Sequence, residues 1–496
     1  MSEYKHGVYG EIVAEGIPQA IESQAAMVVF GTAPVHTIEG GASNVNKPIV
    51  CNNMADVRKY FGYSDSWEDY TLCMTFRRFF EQKAVGPLVV INVLDPATHK
   101  KSTQTTSDKT PSGGKIVIAS AEGIILDTVE IWTKDDTPAK KVKDTDYSIA
   151  YNADKKQIVI TEIGSGLGSS ALTVKYYEIK PEDVTDAVMI GTTDGMGSNT
   201  GLFVIRDVYT LTGMIPAYIL VPGFSSHPSV HAAMASISRK INGHWDAWMF
   251  TDIPIIDNAT PITLATAKTW KDANGYTQEN ETVYFPMAQG TDDKLYYMSV
   301  LAAANFLELL IDNDDLPYHS ASNSACGIIR NLYLGATATD RVYDDQIINE
   351  YLCKNGIASA AFVGGRWAIW GAHAADYDQT NATQINVAET NRMMLYHISN
   401  DFQARRPLQI DQPLSQNDIQ TIVAEEQERL DGLVGMGALL YAKAKLDAEA
   451  DNRSDLMNGD YIFDFEVTIT PLAKSMTAKV IWVDNGFAVY FGVEGE

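Results

Sequence analysis

Cysteine is scarce in this chain of 496 residues, which contains four: Cys51, Cys73, Cys326 and Cys353. They lie far apart and form no CxxC pair, so neither a zinc site of that type nor a disulfide framework is indicated. We interpret them as buried or inert thiols. The first residues, MSEYKHGVYGEI, lack the apolar core of a secretion signal. We therefore expect the chain to fold in a reducing cytoplasm.

Positive charge is also scarce, with 38 Lys and Arg against 63 Asp and Glu and a net charge of −25. A nucleic-acid-binding protein needs a basic surface, and an anionic membrane attracts one. The longest apolar helix candidate, residues 298–311, is too short to cross a bilayer and contains Asn305 and Glu308. Direct binding to nucleic acid and insertion into a membrane are therefore not expected.

Motifs for phosphate or metal binding are missing as well. The glycine-rich stretch GTTDGMGSNTG, residues 191–201, fits neither GxGxxG nor the P-loop pattern, and no Lys follows it. His227 and His231 are four residues apart, but the Glu of an HExxH motif is absent. We predict no cofactor and no metal.

A hydrolase triad is the remaining catalytic possibility. Asp207, His231 and Ser322 occur in the chain order of a subtilisin-type triad, yet ASNSACG around Ser322 lacks the usual surroundings of that nucleophile. GFSSHP around Ser225 is not a GxSxG elbow. Because any long chain offers some Asp, His and Ser in this order, we predict that the protein is not an enzyme and has no catalytic residues.

Short apolar strands alternate with helical patterns through most of the chain. Strands are predicted at Ala26–Gly31 within AAMVVFGTAP, and in PLVVINVLDP, AYILVPGFS and WDAWMFTDIP. The longest helical pattern is LYYMSVLAAANFLELLIDND. This alternation predicts an α/β multidomain protein with a doubly wound, parallel or mixed sheet. Between about residues 98 and 181 the pattern changes to short strands such as DYSIAY and QIVITEI, separated by turns. That change predicts an inserted β-rich domain.

The two ends of the chain hold its most strand-prone exposed segments. The alternating arm HGVYGEIVAEG contains Val8, Tyr9, Ile12 and Val13, and KVIWVDNGFAVYF near the other end predicts two strands around a tight turn at Asn485. An apolar strand without a partner aggregates, so these segments indicate strand donation to a neighbouring chain. Two such arms on each chain would produce an open polymer. From this pattern alone, packing of both segments on their own domain is an equal alternative.

Several stretches occur together in one order: HGVYGEIVAEGIPQAI with VVFGTAP, GTTDGMGSNTGL, YILVPGFSSHPSV with MFTDIP, GIASAAFVGGRWAIWG, and FEVTITPLAKSMTAKVIW. This ordered set resembles the contractile tail sheath proteins of bacteriophages and phage-tail-like particles. The resemblance covers most of the chain except the β-rich insert, where sheath proteins vary most. No single motif in the set is specific, and the order carries the resemblance.

The resemblance implies a subtilisin-like α/β domain without the protease's catalytic set. It also implies stacked hexameric rings around a tail tube, joined by strand exchange, that contract and drive the tube through a cell envelope. The implied partners are neighbouring copies of the chain, the tail tube protein, and baseplate and tail terminator proteins. The implied location is a virion tail or tail-like particle assembled in the host bacterial cytoplasm.

Under this resemblance the chain divides into six parts: an N-terminal arm (1–20), an N-terminal α/β part of the core (21–97), an inserted β-rich domain on the outer surface (98–182), a subtilisin-like α/β domain (183–375), an α+β C-terminal domain (376–478) and a C-terminal strand arm (479–496). The donated strands would contain Val8, Tyr9, Ile12 and Val13 at one end and Val480, Ile481, Trp482 and Val483 at the other. The acceptor strand would contain Tyr461, Phe463, Phe465, Val467 and Ile469. By the same analogy, the helix around residues 419–430 would face the tube.

Two other functions stay open at this point. One is an inactive or unusual subtilisin-like hydrolase, and the other is a different self-assembling scaffold, such as a shell or surface-layer protein. Within the sheath family, the sequence does not separate a phage tail from a bacteriocin or another injection particle.

Overall fold

The computed structural model describes residues 24–335, 343–447, 453–483 and 490. It divides into a large unit, Met1–Ile422, and a small unit, Val423–Glu496. The predicted N-terminal strand residues Val8, Tyr9, Ile12 and Val13 lie outside the described residues, as does the predicted turn at Asn485.

The large unit begins with the first strands of its main sheet and two helices. A cap explains the start of the first helix, because the Asn53 side chain accepts hydrogen bonds from the backbone N–H groups of Ala55 at 2.8 Å and Asp56 at 3.2 Å. The second helix continues as a wider π-helical segment, Arg77–Lys83. The elements are β1 (Ala25–Gly31), β2 (Ile49–Cys51), α1 (Met54–Tyr60), α2 (Thr71–Phe76) and β3 (Leu88–Asn92).

The next segment is all β and has a core of its own. Its strands form two antiparallel three-stranded sheets. In sequence they are β4 (Thr105–Lys109), β5 (Lys115–Ile118), β6 (Glu130–Thr133), β7 (Tyr147–Asn152), β8 (Gln157–Glu162) and β9 (Leu172–Tyr176). Alternate residues such as Ile158 and Ile160 are fully buried in a cluster separate from the main core. Period-two burial of this kind is what two packed antiparallel sheets require.

The rest of the large unit alternates helices with strands. The helices are α3 (Asp186–Ile190), α4 (Ile205–Thr212), α5 (Pro228–Ile237), α6 (Ala267–Ala273), α7 (Met298–Asp312), α8 (Asp345–Tyr351), α9 (Glu389–Arg405) and α10 (Gln416–Gly435), which runs across the division into the small unit. The strands are β10 (Ile215–Leu220), β11 (Trp248–Asp252), β12 (Ile256–Asp257), β13 (Thr260–Pro261), β14 (Glu281–Tyr284), β15 (Met287–Gly290), β16 (Leu295–Tyr296), β17 (Ile329–Tyr333), β18 (Ile357–Val363) and β19 (Arg366–Trp370).

An eight-stranded sheet forms the centre of the large unit, in the order β19-β18-β14-β11-β10-β1-β3-β2. Neighbouring strands from β18 to β3 pair in parallel, while β2 and β19 pair antiparallel at the two edges. The central strands are buried along nearly their whole length, so both faces of the sheet are covered, and helices including α5 and α7 contact these strands. This burial explains continuous apolar runs such as AAMVVFG. The prediction of an α/β protein with a large mixed sheet is confirmed.

The small unit contains a two-stranded antiparallel sheet of β20 (Leu439–Leu446) and β21 (Phe463–Ile469), with the short helix α11 (Arg453–Asn458) between them in sequence. The last turns of α10 belong to this unit and bury Glu426, Leu430 and Leu433. In its described residues the small unit thus consists of the end of one long helix, a short helix and a β-hairpin.

Candidate assembly surface

The three residues weighed as a possible triad, Asp207, His231 and Ser322, do not bind one another. His231 on α5 is buried, stacks on Tyr276 with ring centres 3.7 Å apart, and places its Nε2 2.8 Å from Oε1 of Glu281. Asp207 accepts a hydrogen bond from the side chain of Asn199, and the Ser322 hydroxyl accepts one from the backbone of Gly371. The three triad candidates therefore belong to three different hydrogen-bond networks.

Ser225, the other candidate nucleophile, is fully buried and donates a hydrogen bond to Asp252 at 3.4 Å. The Asp252 carboxyl group also accepts hydrogen bonds from the backbone N–H and the hydroxyl group of Ser299 at 3.0 and 2.5 Å. Burial raises the pKa of Asp252 to about 6, although these donors act in the opposite direction. This group is a buried polar network, and it provides no histidine to activate the Ser225 hydroxyl.

The cysteines are buried thiols, as predicted. Burial raises the pKa of Cys51, Cys73 and Cys353 to about 12, so at neutral pH they are not thiolates. Across the described ranges, no cluster of His, Cys, Asp or Glu has an arrangement that would hold a metal ion. No helix in the same ranges has both the length and the apolar character to cross a bilayer.

The strand predicted to accept a neighbour is β21, which begins at Phe463. Tyr461 lies before the strand, so that part of the prediction is wrong; the chain there is irregular because it is leaving the turn after α11. The backbone N–H of Asp447 donates to the carbonyl of Ile462 at 2.8 Å. With the register of the pair, this bond identifies which residues of β20 and β21 form hydrogen bonds with each other. In an antiparallel pair, alternate residues direct their backbone groups to opposite edges. In β21, the residues that direct their backbone N–H and C=O groups away from β20 are Phe463, Phe465, Val467 and Ile469.

The C-terminal segment predicted to be donated lies in irregular chain after β21. Its four consecutive apolar side chains are all largely exposed: Val480 at 95%, Ile481 at 75%, Trp482 at 79% and Val483 at 59%. Large exposed side chains of this kind are normal when scattered, but four in sequence form an apolar patch. The segment is not paired as a strand within the part of the chain that the structure describes.

Comparison with known proteins identifies relatives along the whole chain. No family model matches it. The tail sheath protein of Burkholderia phage BcepMu is 24% identical over 503 residues, an alignment that covers 96% of this chain and 96% of the relative.

Solved structures agree in fold. The sheath complex of the PVC extracellular contractile injection system in its contracted state has a TM-score of 0.53 at 10% identity and covers 98% of this chain and 99% of its own. The contracted helical sheath of the anti-feeding prophage gives 0.54 at 12%, covering 97% and 99%. The sheath tail protein from Desulfitobacterium hafniense gives 0.51 at 11%, covering 93% and 100%.

The resemblance to contractile tail sheath proteins is confirmed. These sheath relatives are structural proteins and not enzymes, which agrees with the separated triad candidates. In the small unit, β20 was not predicted from the sequence. Its sequence LLYAKAKL does alternate at Tyr441, Lys443 and Lys445, and that period of two was the available signal.

Proposed function

We propose that the chain is the structural subunit of a contractile tail sheath. The main support is similarity to a phage tail sheath protein along 96% of the chain, which leaves no large region for a different activity. In this proposal the subunits form stacked hexameric rings around a tail tube and contract to drive that tube through a cell envelope. Assembly would take place in the host bacterial cytoplasm, with tube, baseplate and tail terminator proteins as partners.

Strand donation would join the subunits. Val480, Ile481, Trp482 and Val483 are exposed in the single chain, and β21 directs the backbone groups of alternate residues away from β20. Burying an apolar side chain of this size contributes about 1.5–3 kcal/mol. Four of them, together with backbone hydrogen bonds, would offset much of the entropy lost on association. The N-terminal segment with Val8, Tyr9, Ile12 and Val13 would make a second connection.

Reach favours donation to a neighbour. Ten residues, 470–479, separate the end of β21 from Val480. When extended they span up to about 33 Å, enough to cross from one subunit to the next. If the two arms of one chain bind different neighbours, the contacts between subunits do not close into a dimer. A tube requires contacts of this open kind.

Contraction in this proposal needs no active site. The large unit, with its subtilisin-like domain lacking a catalytic set, would rotate as a rigid body because its main sheet is packed on both faces. The arms would keep neighbouring subunits connected while other contacts exchange. The free energy would come from the difference in packing between the extended and contracted assemblies.

Electron microscopy of the purified protein tests the proposal directly. We expect rings or tubes from the full chain and soluble monomers after deletion of residues 479–496. Ile481→Asp should also abolish tubes, because it places a charge in the donated strand, whereas Met476→Asp should not. Met476 is a matched control, since it is 92% exposed in the same segment but lies before the donated residues. Normal tubes from the truncated chain would contradict strand donation, and flat sheets from the full chain would contradict the sheath.

A further inference from the structure

Arg78 is a buried cation without an acidic partner. The residue is 4% exposed and forms no ion pair with any carboxylate that the structure describes. Its Nη groups donate only to neutral acceptors: Oε1 of Gln82 at 3.3 Å, Oδ1 of Asn305 at 2.9 Å and the sulfur of Cys326 at 3.5 Å. Its Nε is also buried, and no acceptor in the described residues binds it. Because a guanidinium group is always charged, its burial without a counter-charge is unfavourable.

Arg392 shows how another buried arginine of the same chain is balanced. Its two Nη groups donate to the two carboxylate oxygens of Asp376, both at 2.8 Å. Bidentate pairing of this kind balances the charge and matches the planar shape of the guanidinium group. Arg78 has amide oxygens and a thiol in the place of that carboxylate, so its counter-charge is missing from the single chain.

The π-helical segment Arg77–Lys83 places a second cation beside Arg78. Backbone hydrogen bonds of a π-helix join residues five apart, so residues 78 and 83 lie one turn apart on the same side. In an α-helix the same two residues would be rotated by about 140° from each other. The wider helix therefore brings the two positive charges together, and π-helical turns of this kind are frequent at functional sites.

An open cleft of about 430 Å³ lies beside the two cations, between the π-helical segment, α7 and the chain that precedes β17. Arg78, Lys83 and Glu308 line it, and the Glu308 carboxylate binds the Lys83 ammonium group. The backbone of Ala325 and Gly327 forms another wall, and both residues are exposed. Two cations against one carboxylate give the cleft an excess of positive charge, in a chain whose net charge is −25.

We propose that this cleft is a binding site for an oxyanion, a phosphate or carboxylate group held by Arg78 and Lys83. The anion supplies the counter-charge that Arg78 lacks, and both side chains are suited to phosphate and carboxylate oxygens. Such a group has two sources. One is dissolved phosphate, and the other is an acidic side chain of a second copy of this chain, which carries 63 Asp and Glu. The site itself does not depend on strand donation.

Isothermal titration calorimetry of the purified full chain with inorganic phosphate tests the proposal. We expect saturable binding that sodium chloride of equal ionic strength does not reproduce. Arg78→Gln should weaken it at least about tenfold, the factor that corresponds to one hydrogen bond to a charged group. Arg392→Gln is the matched control, because it removes a buried arginine whose charge is already paired, and it should leave phosphate affinity unchanged. Circular dichroism checks that each variant is folded.

Two partly exposed positions test the site without touching Arg78. Lys83→Gln should also weaken phosphate binding. Glu308→Gln removes the carboxylate that competes for Lys83, so phosphate should bind up to about fivefold more tightly, the factor that corresponds to a partly exposed ion pair. A purely structural role of this cluster would not produce tighter binding. The pair keeps the test decisive if Arg78→Gln does not fold.

The outcomes separate the site from its occupant and from the sheath proposal. The absence of phosphate-specific binding would overturn the site, as would equal affinity in the parent, Lys83→Gln and Glu308→Gln. If phosphate binds and also suppresses tubes in electron micrographs relative to chloride, the site holds and its occupant is an acidic side chain of a second copy. If phosphate binds and tubes are unaffected, the occupant is dissolved phosphate. Phosphate binding to a chain that forms no tubes would support the site while contradicting the sheath.

Discussion

The eight-stranded sheet and the two-stranded sheet of this protein satisfy their edges in different ways. In the large sheet, β2 and β19 finish the edges within one chain, and the strands between them are almost entirely buried. In the small sheet, every residue of β21 is half-buried or exposed, and the apolar segment that follows it is exposed. The difference places the stability of the subunit in the large sheet, and under the proposed strand donation the affinity between subunits would depend on a separate part of the chain.

The largest effect on the stability of the subunit is expected in the large sheet. Phe306 on α7 contacts Tyr218 and Phe250, with ring centres 5.0 and 5.5 Å away. Phe306→Ala leaves a cavity in a close-packed core, so we expect a loss of about 3–5 kcal/mol in the free energy of unfolding. Calorimetry of the unassembled subunit measures it, with the half-exposed Ile311→Ala on the same helix as the control. Equal melting temperatures for the two variants would show that this sheet is not the source of stability.

A smaller, pH-dependent effect is expected at Asp252. Burial raises its pKa from 3.8 to about 6, so the folded state prefers the protonated carboxyl. The corresponding stability is fully present below pH 3.8 and is lost as the pH rises through 6, by at most about 3 kcal/mol. Asp252→Asn should remove this part of the pH dependence, measured as the difference in melting temperature from the parent between pH 4 and pH 7.

Asp378→Asn is the control for that experiment. Hydrogen bonds from Thr380 lower the pKa of Asp378 to about 2, so in the folded state its charge does not change between pH 4 and pH 7. In the unfolded state its pKa is 3.8, so only a minor part of its protonation lies in that range, and the difference from the parent should change only slightly and with the opposite sign. A parent-minus-variant difference for Asp252→Asn that changes as little would show that this carboxyl is ionised throughout.

The inserted β-domain should respond locally, since its core is separate from that of the large sheet. Ile160→Val removes one buried methylene and should cost about 0.5–1.5 kcal/mol. Hydrogen exchange should become faster in β5, β7 and β8, while the strands of the large sheet keep their protection. Val117→Ala, at a position that is 46% exposed, is the control. Equal acceleration in both regions would mean that the two cores unfold as one.

The smallest effect on the subunit is expected in the C-terminal segment. Ile481→Asp alters a side chain that is 75% exposed, so the stability of the unassembled subunit should change by less than about 0.5 kcal/mol. The same substitution is expected to abolish tubes. A lower melting temperature of the Ile481→Asp monomer would contradict the expected difference between the large sheet and the C-terminal segment. It would show that the segment already packs on its own chain.

Much of the large sheet could be predicted because the sequences of its buried strands are strongly apolar. AAMVVFG is a continuous apolar run, and WMFTD begins with three apolar residues, as a strand covered on both faces requires. β14 was missed because ETVY contains two polar residues. Its Glu281 is nevertheless fully buried, since the side chains of His231 and Thr251 bind it. α9 was missed for a similar reason, because its buried face includes Glu389, Asn391 and Arg392.

The sequence by itself determined the periodic spacing of apolar residues in strands and helices. It also determined the absence of catalytic and metal motifs and the concentration of apolar residues near position 480. These properties depend on neighbouring residues along the chain, so they can be seen without a fold. Only the tertiary structure decided that His231 binds Glu281 and that Gln427 reaches the edge of β20. Such contacts join residues that are 50 and 15–17 positions apart, and they exist because folding brings helices and strands side by side. Hydrogen bonds have short range, so their partners are decided by that geometry.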